Sequence, residues 1–254
     1  GPANRQARLV ADIIMGSTDT YEGTQGSSVL KAFSLTAAST GLNEKSCIAL
    51  KLNYGKSFTV SGSHAGYYPG ASDMSIKTLY DKDSGLILGV QIVGRDGVDK
   101  RLDVLAVAIK HGLTAKELTN LELCYAPLYG SAKDAINIAG YVICNLIDGY
   151  SRNFYVEDVE RLLKLDANFI DTRETSELLT FGNMDGFTNI PLSVLRENLD
   201  KIDISKPVYV TCQIGQRGYY AYRILADLGY DVYNLSGGYR LFDNIKKDMD
   251  AREV

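Results

Sequence analysis

The spacing of apolar residues divides the chain into two halves with different architecture. Alternation of apolar and polar residues predicts four strands in the first half, at residues 29–35, 56–61, 74–80 and 86–93. Short apolar runs predict two buried strands in the second half, at residues 207–210 and 232–235. A turn at residues 81–85 pairs two strands of the first half as a hairpin, whereas helical segments separate the strands of the second half. We therefore predict an α+β domain with an antiparallel sheet, followed by an α/β domain with a parallel sheet.

Apolar residues at helical spacing predict the helices that accompany these strands. One predicted helix ends near residue 16. The others span residues 98–111, 131–148, 159–163, 218–228 and 241–249. Thr114 and Glu117 form the capping box of a further short helix. The helix that we expect Ser131 to cap has a broad apolar surface, which packs either on its own core or on a partner.

Composition and charge exclude several classes of partner. The 254 residues are 45% hydrophobic and 23% charged, and a net charge of −4 gives no basic surface for nucleic acid. The sequence has no run of about 18 apolar residues and no signal peptide, so we expect no membrane segment and a cytoplasmic protein. The cysteines form no C-x-x-C pair, so we expect free thiols and no metal site. These cysteines are Cys47, Cys124, Cys144 and Cys212.

The stretch from Val208 to Gly218 carries the strongest candidate for chemistry. A buried strand delivers Cys212 to a loop that a helix follows. If the N–H groups of this loop point inward above the helix N-terminus, they form an anion-binding nest that favours a thiolate. Arg217 adds a fixed positive charge, and Gly215 permits a backbone conformation that a β-carbon would hinder. The predicted catalytic residues here are Cys212 and Arg217, and the predicted anion-binding residues are Gln213, Ile214, Gly215, Gln216 and Gly218.

A core thiol is the alternative interpretation, because a cysteine that ends an apolar strand is commonly an ordinary buried residue. The order of strand, cysteine, glycine, arginine and helix favours the anion-binding loop. This loop resembles the active-site loop of rhodanese domains, in which the cysteine accepts a sulfane sulfur as a persulfide and passes it to a nucleophile. Related phosphatases have five residues between their cysteine and arginine. Four residues separate Cys212 from Arg217, which favours sulfur chemistry over phosphate chemistry.

Two other segments resemble rhodanese domains. Residues 168–174 are similar to the first strand and Asp-x-Arg motif of the family, which implies a structural ion pair between Asp171 and Arg173. Residues 236–239 are similar to a turn of the family, whereas residues 183–192 match its Gly-His-Ile-Pro stretch only loosely. The departure concerns the geometry of a loop and leaves the sulfur chemistry unaffected.

Motifs of the first half resemble the C-terminal dimerisation domain of flavin-dependent pyridine nucleotide-disulfide oxidoreductases. They include residues 21–26, 40–45, 63–70, 97–101 and 125–127. The whole chain is thereby similar to coenzyme A-disulfide reductases that are fused to a rhodanese domain. The resemblance implies a dimerisation domain over residues 1–149, with a residual flavin-domain helix at its start. A linker over residues 150–157 and a rhodanese-like domain over residues 158–254 follow.

The resemblance also implies a homodimer in which each dimerisation domain completes the active site of the partner. Tyr67 and Tyr125 match the tyrosines that lie near the redox cysteine and bound coenzyme A in that family. A phenol there can donate a proton to the thiolate that leaves when a disulfide is reduced. The resemblance implies FAD, NAD(P)H and coenzyme A as cofactors of the full-length protein. Because the chain has no Gly-x-Gly-x-x-Gly dinucleotide fingerprint, we expect a C-terminal fragment that binds none of them and has no reductase activity alone.

One functional hypothesis and one rival follow. In the first, the intact protein reduces disulfides or persulfides of coenzyme A, and the rhodanese domain relays sulfane sulfur through Cys212. Its substrates would be small thiols, disulfides or sulfane-sulfur compounds. The rival is a non-catalytic dimerisation or interaction module with an inactive rhodanese domain. The reactivity of the Cys212 thiol distinguishes the two.

Overall fold

The structure is a computed structural model that describes residues 1–252. The strands are β1 Ser28–Ala32, β2 Leu35–Gly41, β3 Tyr54–Gly62, β4 Asp73–Asp81, β5 Ile87–Gly94, β6 Asn153–Phe154, β7 Asn168–Asp171, β8 Thr188–Asn189, β9 Val208–Thr211 and β10 Val232–Leu235. The α-helices are α1 Pro2–Ile14, α2 Glu44–Ala49, α3 Val98–Lys110, α4 Ala115–Thr119, α5 Ala135–Ile147, α6 Val159–Leu162, α7 Thr175–Phe181, α8 Gln216–Asp227 and α9 Gly238–Arg252. Within these residues, no helix has both the length and the apolar content that crossing a bilayer requires.

The first half is built on an antiparallel sheet with strand order β1-β2-β5-β4-β3. Met74, Ile76 and Ile92 of this sheet are buried in one apolar cluster. Leu105 of α3 and Ile136 of α5 belong to the same cluster, so both helices pack on the sheet. Each such side chain contributes about 1.5–3 kcal/mol through its burial. The predicted α+β domain is therefore confirmed.

The run of residues 29–35, predicted as one strand, is a hairpin. β1 ends at Ala32, and β2 begins at Leu35 and pairs with it in the antiparallel sense. Phe33, between them, has a left-handed backbone with a φ of 52°. Because no glycine or proline marks this turn, the alternation of apolar and polar residues continues through it and conceals it.

The N-cap of α5 is Asp134, and the prediction of Ser131 is wrong. The Asp134 carboxylate accepts a hydrogen bond of 3.2 Å from the N–H of Ile136. The same carboxylate binds the buried guanidinium of Arg101, at 2.7 Å. An ion pair with another helix thus fixes the carboxylate that starts α5, and no local sequence pattern reveals such a pair.

The second half is built on a parallel sheet with strand order β6-β10-β9-β7-β8. All residues of the central strand β9 are buried. Ala221 and Leu225 of α8 lie in the apolar cluster on one face, and Val159 of α6 and Tyr239 of α9 lie in the cluster on the other. Helices therefore cover both faces of the sheet, which confirms the predicted α/β domain.

The segment of residues 150–157, expected as a linker, contains β6. Asn153 and Phe154 pair with Asn234 and Leu235 at the edge of the parallel sheet. A strand of two residues is too short for alternation to reveal it. The chain thus enters the second sheet before the expected domain start at residue 158.

The apolar surface of α5 serves two neighbours. Ile136, Ala139 and Ile143 are buried in the core of the first half. Tyr141 and Val142, on another side of the helix, line a cleft between the two halves. One side of α5 thus packs on the core of its own domain, and another side faces the cleft between the two domains.

Hydrogen bonds and ion pairs join the two halves beside β3. The N–H of Phe58 donates to Ser236 Oγ at 3.0 Å, and the Tyr155 hydroxyl donates to the carbonyl of Lys56 at 2.7 Å. Ion pairs across the junction are Lys56–Glu157 and Asp73–Arg240. The junction therefore uses residues that flank β6 and β10 in the second sheet.

Glu44 lies behind this junction and binds two lysines. Its carboxylate oxygens lie 2.7 Å from Lys56 Nζ and 2.5 Å from Lys77 Nζ. Partial burial raises the pKa of Glu44, but the hydrogen bonds and charges of the two lysines outweigh this effect and lower it to about 2. The carboxylate thus keeps its charge in strongly acidic solution.

We expect Glu44→Gln to destabilise the chain by about 1–2 kcal/mol at pH 7, after allowance for solvent screening. Because the folded pKa lies below the unfolded one, the stabilising effect is complete above about pH 4.5 and fades as the pH falls towards 2. Urea unfolding of both proteins from pH 7 to pH 2 measures the difference. Glu160→Gln, at an exposed carboxylate of α6, is the control. A difference that stays constant over this range would contradict the assignment.

Candidate functional site

Cys212 lies directly after β9, the central strand of the parallel sheet. Its side chain is completely buried, with 0% exposure. The helix that follows begins at Gln216, two residues earlier than predicted, with Gly215 as its N-cap. The predicted loop therefore divides into a short connection, residues 212–215, and the first turn of α8, which contains Arg217.

The loop backbone folds towards the sulfur. The N–H of Gly215 donates a hydrogen bond to Cys212 Sγ at 3.2 Å, and a φ of +94° at this residue suits glycine. The carbonyls of Cys212 and Gln213 instead accept bonds from Tyr239 N–H at 2.8 Å and Arg240 N–H at 3.0 Å. The first N–H groups of α8 have no partner within the helix, as at any helix N-terminus, and can bind an anion.

Gly238 packs closely on this loop. A β-carbon there would lie 2.5 Å from the Cys212 carbonyl oxygen and 2.7 Å from Gly215 N. Its φ of +64° also belongs to the left-handed region. Only glycine fits this position, because its backbone packs directly on the loop.

The structure confirms the predicted ion pair between Arg173 and Asp171. The pair is buried. Arg173 Nη2 lies 2.6 Å from Asp171 Oδ2, and both side chains are almost fully enclosed. Arg173 also donates to Gln213 Oε1 at 3.3 Å, and its guanidinium lies 3.8 Å from the ring centre of Tyr239. The buried ion pair is thus connected to the loop through the hydrogen bond from Arg173 to Gln213.

Arg217 is bound by a residue that the sequence did not indicate. Its two terminal nitrogens lie 2.5 and 2.6 Å from the carboxylate oxygens of Glu177, on α7. The sequence pattern around Glu177 indicates only a helix N-terminus, because this residue also caps α7 through the N–H of Glu174. The positive charge predicted to face the loop is therefore already paired.

Asn234 of β10 is a second residue that sequence reasoning missed. Its Nδ2 donates to the carbonyl of Gly215 at 3.0 Å. A β-carbon on Gly218 would lie 2.2 Å from its Oδ1, so the helix approaches this side chain closely. Asn234 therefore fixes the start of α8, and Gly218 serves packing.

A cleft of about 520 Å³ between the two halves borders this loop. Ile214, Gly215 and Gln216 line it from the loop, and Val60 and Tyr141 line it from the first half. Cys212 is not among the lining residues. The cleft thus adjoins the outer side of the loop backbone and not the sulfur.

Tyr67 and Tyr125 lie together in the first half, and neither hydroxyl is hydrogen-bonded to the Cys212 loop among the described residues. Their loops are joined by a bond of 3.2 Å from Ala65 N–H to the Pro127 carbonyl. Hydrogen bonding of the Tyr67 hydroxyl to the neighbouring phenol of Tyr125 favours the protonated form and raises the pKa of Tyr67. Both side chains are exposed, at 77% and 52%. The structure thus groups the predicted site residues into a tyrosine pair and a cysteine loop.

The two halves match different family models. Residues 28–135 match the dimerisation domain of pyridine nucleotide-disulphide oxidoreductases. Residues 155–244 match the rhodanese-like domain. The chain joins a dimerisation domain of this family to a rhodanese-like domain. Cys212 and its loop lie in the rhodanese-like domain, and the tyrosine pair lies in the dimerisation domain.

Similar proteins include oxidoreductases of thiols and persulfides. A coenzyme A disulfide reductase of Staphylococcus aureus is 40% identical over 140 residues, which are 55% of this chain and 32% of that protein. The structure of reduced Bacillus anthracis CoADR-RHD is 48% identical, has a TM-score of 0.93, and covers 97% of this chain. An NAD-dependent persulfide reductase of A. fulgidus is 35% identical, has a TM-score of 0.86, and covers 94%. The chain spans 44% and 43% of those two structures.

We expect Gly238→Ala to destabilise the rhodanese-like domain by about 1–3 kcal/mol more than Gly229→Ala. Both glycines have a positive φ, at +64° and +90°, but a β-carbon at Gly229 meets nothing within 4 Å. The difference therefore isolates the contact with the Cys212 loop from the backbone strain. Urea unfolding followed by circular dichroism measures it. Equal destabilisation by the two substitutions would contradict the close approach.

We expect Tyr125→Phe to lower the pKa of Tyr67, because the substitution removes the hydroxyl that raises it. Carbon NMR of tyrosine labelled at Cζ, titrated with base, reports the pKa of each phenol. Tyr67→Phe identifies the Tyr67 resonance. Tyr129→Phe, at an exposed tyrosine of the neighbouring segment, is the matched control and leaves the Tyr67 titration unchanged. An unshifted Tyr67 in Tyr125→Phe would refute the pairing of the two hydroxyls.

Proposed function

We propose that this chain is part of a coenzyme A-disulfide or persulfide reductase in which the rhodanese-like domain relays sulfane sulfur as a Cys212 persulfide. The observation that carries the proposal is the hydrogen bond of 3.2 Å from Gly215 N–H to Cys212 Sγ at the start of α8. A backbone donor and a helix N-terminus both favour negative charge on this sulfur. The relatives named for disulfide and persulfide reduction support the same chemistry.

The relay consists of two displacements at sulfur. In the first, the Cys212 thiolate attacks the sulfane sulfur of a donor; the new S–S bond forms as the old one breaks, and the leaving group takes the electron pair. In the second, an acceptor thiolate attacks the outer sulfur of the persulfide, and Cys212 leaves as a thiolate. Neither step needs an external oxidant or reductant.

The backbone around Cys212 suits the persulfide intermediate. The outer sulfur carries a negative charge, and the unpaired N–H groups at the start of α8 can stabilise it without reorganisation. The residues that present these groups are Gln216, Arg217 and Gly218, after the connection through Gln213, Ile214 and Gly215. The buried Asp171–Arg173 pair holds the loop in place through Gln213.

The reductase half of the proposal concerns the whole protein. FAD and NAD(P)H supply hydride and electron transfer when bound, and coenzyme A supplies the thiol. In this chain, Tyr67 and Tyr125 are the proposed proton donors to a thiolate that leaves during reduction, and their exposed hydroxyls are accessible to a partner subunit. The dimerisation domain supports assembly as a homodimer. A cytoplasmic location stays a prediction.

One observation favours the rival function, a non-catalytic interaction module. The Cys212 side chain has no exposed surface, and a buried thiol is commonly inert. A donor must therefore displace part of the loop or reach the sulfur as the loop opens. A cysteine phosphatase has less support, because four residues separate Cys212 from Arg217 and Glu177 already binds the arginine.

We expect the purified chain to gain the mass of one sulfur atom when it is treated with a sulfane-sulfur donor, and to lose it on reduction. Cys212→Ser should abolish this gain, because it removes the nucleophile. Cys124→Ser is the matched control, since Cys124 is an exposed thiol of the dimerisation domain and its loss should leave the gain intact. Intact-mass spectrometry measures all three proteins. Loading that persists in Cys212→Ser would reject the relay.

A further inference from the structure

Glu177 contacts both terminal nitrogens of Arg217, which lies in the first turn of α8 after the Cys212 loop. The two Arg217–Glu177 contacts, at 2.5 and 2.6 Å, form a bidentate pair of the strongest kind available to these side chains. The side chains are 31% and 23% exposed, so water screens the pair only partly. The pair therefore uses two of the five N–H donors of Arg217 and balances its charge with that of Glu177.

The structure fixes Glu177 in this position. Its Oε2 also accepts the N–H of Glu174 at 3.0 Å, which ties the carboxylate to the first turn of α7. The Arg217 hydrogen bond lowers the pKa of Glu177, so the carboxylate is ionised at neutral pH. Glu177 is thus negatively charged at neutral pH, and hydrogen bonds from Glu174 N–H and Arg217 hold its carboxylate in place.

The other charges near the loop are paired as well. Arg173, the second guanidinium that touches the loop, is bound to Asp171 at 2.6 Å. Glu174 lies close enough to Arg217 to raise its pKa through charge. Each nearby arginine is therefore balanced by a carboxylate. Among the described residues, the two arginines beside the loop are both paired, so an anion that approaches Cys212 finds chiefly the N–H dipoles of α8.

We propose that Glu177 is a specificity-determining residue that disfavours doubly charged sulfur donors at Cys212. The inference rests on the proposed sulfur relay and names its donor class: thiosulfonates and persulfides, whose reacting sulfur group carries at most one negative charge, in preference to thiosulfate, whose reacting group carries two. The electrostatic cost of approach to Glu177 scales with the charge of the donor, so a dianion is disfavoured more than a monoanion. The N–H dipoles suffice for the single charge of the persulfide product.

The two donor types undergo the same displacement. With thiosulfate, the Cys212 thiolate takes the outer sulfur, the S–S bond breaks, and sulfite leaves with the electron pair. With methanethiosulfonate, the same bonds form and break, and methanesulfinate leaves with the electron pair. Both reactions give the same Cys212 persulfide. Their relative rates therefore report the response of the site to donor charge.

The test compares the wild-type chain with Glu177→Gln. Glutamine keeps the cap of α7, since an amide oxygen can accept the Glu174 N–H, but it removes the negative charge. We expect the loading rate to rise about tenfold with thiosulfate and about threefold with methanethiosulfonate, so that the ratio of the two rates rises about threefold. Glu160→Gln removes an exposed charge from α6 and should leave the ratio unchanged. Rates come from intact-mass spectrometry at low ionic strength.

A second measurement is independent of sulfur transfer. The ratio of Cys212 alkylation by iodoacetate, an anion, to alkylation by neutral iodoacetamide should also rise about threefold in Glu177→Gln. Peptide mass spectrometry separates Cys212 from the other cysteines. If wild-type protein takes sulfur from neither donor, the relay fails, and the alkylation ratio still decides the role of Glu177. An unchanged ratio of the two alkylation rates would overturn the inference. If both rates rise equally, Glu177 merely restricts access to Cys212.

Discussion

The contact between the Gly238 backbone and the Cys212 loop is the constraint on which the rest of the site depends. Because this backbone lies against the loop without a side chain between them, the carbonyls of Cys212 and Gln213 bond to residues 239 and 240. In the same loop, Gly215 N–H donates to the sulfur, and the first N–H groups of α8 have no partner within the helix. A parallel strand, a glycine turn and a helix N-terminus thus form the loop that we propose as an anion-binding site with few charged side chains.

Much of the fold and of the cysteine loop follows from the sequence. Alternation, helical spacing and capping patterns are local, so they predict both sheets and most helices, and Cys212 with its glycine is a local motif. The predictions from sequence fail where contacts between residues far apart in the chain determine the structure. Asp134 caps α5 because Arg101 holds its carboxylate, and β6 is a strand because β10 lies beside it. Glu177 lies 40 residues from Arg217, and its own segment indicates only a cap.

The charges of the rhodanese-like domain are arranged in neutral pairs around a polar backbone. Asp171 and Arg173 are enclosed beneath the loop, whereas Glu177 and Arg217 are partly exposed beside it. Burial makes the first pair a costly one to break, and its contact with Gln213 makes it a support. The second pair is partly exposed to solvent, so a sulfur donor that approaches the loop comes close to it. The same chemical pairing therefore serves structure in one place and selectivity in the other.

The strand order of the second sheet sets the sequence of events in folding. β6 is the first strand of this sheet in the chain, yet its only partner among the described residues is β10, the last one to be synthesised. The residues that bind the dimerisation domain flank these same two strands: Tyr155 and Glu157 follow β6, and Ser236 and Arg240 follow β10. We therefore expect a nascent chain to complete the antiparallel core first and to dock its two domains only after β10 has left the ribosome.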